Sequence, residues 1–131
     1  MSYLDKLKSG NSLELYIDNC NEPIFTSSSH WLHPLFEVEE FLEQNSFDRF
    51  ALSLHDTVSG FAAAALTLRL GIRRVNADLM SIGALKLYEK YGATYHYEHL
   101  IDKIQCATES LLNDTMTLEE CYLILKKRAG R

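Results

Sequence analysis

Proline is almost missing from this chain. Pro23 and Pro34 are the only two in 131 residues, and neither precedes a cysteine, so no PCxxC segment can be written from it. Cysteine is sparse as well: Cys20, Cys106 and Cys121 are odd in number, widely spaced and without a CxxC pair. That pattern does not suit a disulfide scaffold and suits a reducing compartment, so a cytoplasmic location is expected. Positive charge is in deficit, with 13 Lys and Arg against 18 Asp and Glu and a formal net charge of -5. A general nucleic-acid binder needs a basic footprint that this balance does not supply. The basic cluster Lys126-Lys127-Arg128 with Arg131 falls at the end of a predicted helix, where cations complement the dipole. No apolar run approaches the roughly 20 residues that span a bilayer, and the opening MSYLDKLKSG lacks the basic start and apolar core of a signal peptide. Glycine-rich phosphate loops are missing too: Ser59-Gly60 is a lone pair, not GxGxxG or GxxxxGK[ST].

What the chain does have is a legible alternation of strand and helix patterns across one domain, residues 1–131, long enough for a substantial core. The centre is Leu52 to Gly92. Phe50, Leu52 and Leu54 alternate with Ala51, Ser53 and His55 as a strand, and His55-Asp56 then breaks the pattern. Asp56 is expected to cap the following helix, since its carboxylate can accept from first-turn amides. Phe61 to Leu66 is apolar throughout, the mark of a helix buried on most sides. Gly71 closes it. Val75, Ala77 and Leu79 form the next strand, Ser81 caps a second helix with Ala84, Leu87, Tyr88 and Tyr91 on one face, and Gly92 ends it.

Before the centre, a short helix is expected at residues 3–8. Leu13, Leu15 and Ile17 then form a first strand, and Ile24-Phe25-Thr26 its hairpin return, with Pro23 opening an edge strand. Pro34 suits the first turn of a helix carrying Leu35, Val38, Phe41 and Leu42. After the centre, Tyr95 and Tyr97 mark a last strand and Leu100 to Leu112 reads as a helix. Thr117 with Glu120 forms a capping box before Leu118, Cys121, Tyr122 and Leu125. Strands joined through helices run parallel, and the opening hairpin makes the sheet mixed. Helices on both faces predict a three-layer α/β/α sandwich.

The hairpin, the helix opened by HPL, the HDTVSGFAAAAL segment and the ADLMSIGAL segment together resemble a small prokaryotic family, a domain of unknown function assigned the cytidine deaminase-like fold. The resemblance covers roughly residues 12–105. Asp56, Val58, Gly60, Ala62, Ala63 and Ser81 match the family's pattern, whereas Thr57 and Phe61 stand where it has lysines, and no Cys-Pro tail follows Ile104. The resemblance implies a five-stranded sheet in the order 2-1-3-4-5. It implies little about activity, because fold does not fix function.

Zinc deaminases combine an HxE segment with PCxxC. The HxE here, His96-Tyr97-Glu98, lies in a predicted strand, where His96 and Glu98 read as solvated edge residues. Cys106 and Cys121 read as core residues of amphipathic helices. His30 and His33 flank Trp31 in a loop and read as surface groups ahead of a weak metal site. What remains is topological: ligands of open α/β sheets bind beyond the carboxyl ends of parallel strands. Asp56, Thr57, Ser59, Gly60 and Ser81 are therefore the candidate ligand-binding residues, for a nucleotide-like or other small polar ligand, with the side chains of Asp56 and Ser81 converging. Simple capping by Asp56 and Ser81 is the competing reading. The alternatives in function are a metal-independent enzyme using Asp56 as acid or base, and a non-catalytic interaction module, with a homodimer among its partners. No metal, cofactor, nucleic acid or membrane is expected. The protein should purify without stoichiometric zinc and should not deaminate cytidine or adenosine; elemental analysis showing about one zinc per chain would end this reading.

Overall fold

The computed structural model describes residues 11–131, so the helix expected at residues 3–8 lies outside the described part. Strand β1 (Leu13–Ile17) pairs antiparallel with β2 (Phe25–Ser27), as the hairpin pattern predicts, although the return strand starts one residue later than expected. On its other side β1 pairs antiparallel with β3 (Leu52–Ser59). Strands β4 (Arg74–Ser81) and β5 (Thr94–Ile101) then continue parallel to β3, giving one mixed sheet in the order β2-β1-β3-β4-β5. The described helices are α1 (His33–Gln44), α2 (Phe61–Arg69), α3 (Ile82–Lys90) and α4 (Leu118–Arg128), with short 3-10 turns at Arg49–Ala51 and Ala107–Leu111.

Direct cross-strand partners share a face, so the register separates two surfaces. Leu13, Leu15, Leu52, Leu54, Val75 and Ala77 form one buried apolar face. Glu14, His55, Asn76 and His96 form a polar row across the other. The crossovers β3-α2-β4 and β4-α3-β5 step the same way across the sheet, so right-handed connections put α2 and α3 on one side. They pack on each other, and α1 and α4 both pack on α2. The expected three-layer arrangement is therefore met on one face only among the described residues.

The centre of that packing is α2, in which every residue from Ala62 to Leu68 is buried. Its polar end is held by side chains from both outer helices. Arg69 pairs with Glu39 of α1 at 2.5 Å and Glu119 of α4 at 3.0 Å, and its guanidinium lies 3.2 Å over the Tyr122 ring. Gly71 and Gly92 take left-handed backbone, at φ 89° and 71°, and turn the chain after α2 and α3 as expected. Ser81 caps α3, accepting from the Ala84 amide at 3.1 Å, and the Thr117–Glu120 capping box forms at the start of α4.

Three expectations fail here. Asp56 caps no helix: it lies inside β3, because parallel pairing with β4 continues to Ser59 opposite Met80 and delays the helix to Phe61. The helix expected from Leu100 to Leu112 does not form, since β4 claims β5 as far as Ser81 opposite Ile101 and leaves only the 3-10 turn at Ala107–Leu111. Cys106 therefore sits half-buried in a connection rather than on a helix, while Cys121 is buried in α4 as predicted. Because α2 is enclosed by the sheet and its neighbour helices, Ala64→Glu should lower stability by several kcal/mol in urea unfolding, a charge being buried with no partner; an unchanged midpoint would mean that α2 is exposed.

Candidate functional site

Where β3 gives way to α2 the backbone leaves the sheet at Gly60, where any larger residue would have to displace the side chains of Glu109 and Ile104. A Cβ there would collide with the Glu109 carboxylate and lie 2.8 Å from the Ile104 side chain. Gly60 offers no cap of its own. Glu109 supplies it from the 3-10 turn after β5: its two carboxylate oxygens accept from the amides of Phe61 at 2.8 Å and Ala62 at 2.9 Å. A negative group on the first free amides of a helix is favoured by hydrogen bonding and by the dipole. The cap comes from 48 residues away in sequence, so no local pattern announces it.

Beside this junction is a cavity of about 310 Å³. Its walls come from four segments: Trp31 and Pro34 at the start of α1; Asp56, Thr57 and Val58 at the end of β3; Gly60, Ala62 and Ala63 at the start of α2; and Ile104, Cys106, Thr108 and Glu109 after β5. Ser12, Ser29, His30 and Leu32 complete it. The loop bearing Trp31 is fastened from both sides. Glu37 of α1 accepts from the hydroxyls of Ser27 at 2.5 Å and Ser29 at 2.6 Å, and the Ser12 hydroxyl donates to the Ser29 carbonyl at 2.7 Å. Burial alone would raise the Glu37 carboxyl, but the Ser27 and Ser29 hydroxyls outweigh it and hold the group below its ordinary range. Trp31 itself sits at φ 59°, left-handed backbone that a bulky residue rarely adopts. It is 42% exposed and meets the His33 ring edge-on at 5.5 Å between centroids.

Asp56 lines the cavity from β3. It pairs with Leu13 across the sheet and so faces the helix side. Burial raises its pKa from 3.8 to about 7, against the pull of the Val58 and Thr57 amides; the nearby Asp78 charge adds to the rise. A carboxyl poised at neutrality in a cleft is a mark of functional sites.

The sequence-predicted residues divide. Asp56, Thr57 and Gly60 line the cavity. Thr57 is buried, with its hydroxyl donating to the Ser12 carbonyl at 2.8 Å. Ser59 is fully buried and shares a 2.7 Å hydrogen bond with the Tyr88 hydroxyl, a phenol that burial pushes far above its usual range. Ser81 is buried as the α3 cap. Neither serine is part of the cavity wall. Trp31 and Glu109 are the residues that sequence reasoning did not assign to the site. Trp31 carried a weak signal, as the chain's single tryptophan in a polar loop; Glu109 carried none.

On the opposite face His55 Nε2 lies 3.2 Å from Asp78 Oδ1. Among the described residues no group of three or more His, Cys, Asp or Glu side chains could hold a metal ion, and no helix is long and apolar enough to cross a membrane.

Comparison with known proteins follows the same lines. A search of the curated proteins finds no match. Among solved structures the chain is similar to a DUF1893 family protein (TM1506) from Thermotoga maritima, at 26% identity and a TM-score of 0.78, over 95% of this chain and 85% of that one. The family model described as a domain of unknown function (DUF1893) matches residues 4–128. Matched over nearly its whole length, the chain belongs to the DUF1893 family.

Proposed function

We propose that the protein binds a small, planar, uncharged or cationic ligand of the nucleobase or nucleoside kind in the cavity between Trp31 and Asp56. The observation that carries this reading is Asp56, a carboxyl raised to about 7 on the floor of a largely apolar cavity. Such a group accepts from ring or exocyclic N–H donors, and Trp31 at the mouth offers a stacking face. The volume stands at the small end of ligand pockets. Glu109 already occupies the first amides of α2, so a phosphate gains nothing at that helix start. The strand order 2-1-3-4-5, with β1 antiparallel to both neighbours, supports assigning the domain to the cytidine deaminase-like fold.

A second reading rests on the same carboxyl. A pKa near 7 suits general acid–base work without a metal. A product formed from a nucleoside by the wild type, lost in Asp56→Asn and with a rate inflecting near pH 7, would select it.

The lone tryptophan makes the binding test direct. Titration with adenine, cytosine and their ribosides should change Trp31 emission saturably for at least one of them. Asp56→Asn should weaken that binding by roughly tenfold or more, the value of a charge-assisted hydrogen bond. AMP should bind no tighter than adenosine. No response to any of the four, or full affinity in Asp56→Asn, overturns the proposal.

Stability should carry the Asp56 signature independently. Its folded pKa lies above the unfolded value, so the folded state holds the extra proton between about pH 4 and 7. The contribution of this group to stability is therefore present below that window and lost as pH rises through it. Asp56→Asn removes the loss. With the shift discounted for partial solvent access, the variant should exceed the wild type by on the order of 2 kcal/mol at pH 8 and converge with it near pH 4. Urea unfolding at both pH values measures the difference.

A further inference from the structure

Among the described residues β5 is an edge of the sheet, with β4 on one side and no strand on the other. It is eight residues long and six of them are exposed, including Tyr97 at 43% and Leu100 at 38%, whereas most of β4 is buried. Edge strands are normally blunted by lysine, proline, a bulge or short length. Thr94–Ile101 contains neither lysine nor proline. The opposite edge, β2, has only three residues. The backbone phase of β5 is set by the Thr94 amide, which donates to the Arg73 carbonyl at 2.8 Å. Alternate residues therefore turn their N–H and C=O outward, and these are Tyr95, Tyr97, His99 and Ile101.

We propose that this edge pairs antiparallel with β5 of a second copy of the chain, about a two-fold axis at Tyr97, so that the two sheets continue as one. The register follows from the side chains. A two-fold axis perpendicular to the sheet keeps like faces together only if it passes through a residue pair, not between two. Centred on Glu98, it would set two carboxylates directly opposite each other, which is unfavourable. Centred on Tyr97, it makes Tyr97 a hydrogen-bonded pair with its own copy. His96 then stands opposite Glu98 of the second copy on the polar face, twice over, and Tyr95 opposite His99 on the other. A stretch reading His-Tyr-Glu is thus complementary to itself in reverse. One strand from each copy buries little area, so dilution dissociates this dimer.

Sedimentation of the full chain over roughly two decades of concentration should show a monomer–dimer equilibrium. Glu98→Lys puts a cation opposite His96 and should raise the dissociation constant roughly tenfold or more. Adding His96→Glu to that variant restores the opposite charges and should restore the dimer. Tyr97→Pro removes an outward N–H, so it should keep the folded circular dichroism and lose the dimer. A monomer at every concentration overturns the proposal and leaves the edge to a foreign strand. A dimer indifferent to Glu98→Lys, or one that the charge swap fails to restore, overturns it as well.

Discussion

Helix α2 is the constraint on which the other elements depend. It is built from alanines and leucines, apolar all round, and such a helix cannot face water on any side. The small side chains of Ala62 to Ala65 let it lie close to the sheet and to its neighbours at once. Around it α1, α3 and α4 take their places, and the hydrogen bonds of Arg69 to Glu39 and Glu119 hold the outer two helices to its end. The sheet register follows from the same demand, because β3 and β4 must turn Leu54, Val75 and Ala77 toward that side.

The start of α2 links packing to chemistry. A buried helix start needs a partner for its free amides. Its own Gly60 has no side chain to offer, and a larger residue there would displace the partner that serves instead, Glu109. Glu109 is the cap, whereas Asp56 lies inside β3. Its carboxyl stays on the cavity floor, desolvated and near neutrality. One carboxyl thus stabilises the fold at the helix amides, while the other takes the Thr57 and Val58 amides at the cavity. The left-handed backbone at Trp31, next to the Ser12, Ser29 and Glu37 hydrogen bonds, puts an aromatic residue in the wall of the same cavity.

The sequence by itself determined the element order from the hairpin to β5, the mixed sheet, the buried α2 and the local caps at Ser81 and Thr117, because period-two and period-3.6 patterns and capping residues act over a few neighbours. It also pointed to the end of β3, and Asp56, Thr57 and Gly60 do line a cavity there. Tertiary structure decided what depends on distant partners. Pairing with β4 drew Asp56 into β3 and Leu100 and Ile101 into β5, overriding the local readings of helix cap and helix. Glu109, 48 residues beyond Phe61, took the capping role. Ser59, one residue from Gly60, was drawn away to Tyr88. Local propensity amounts to a fraction of a kcal/mol per residue, whereas a strand ladder or a buried helix start must be satisfied whole, so contacts between distant segments set where each element ends and which carboxyl caps α2.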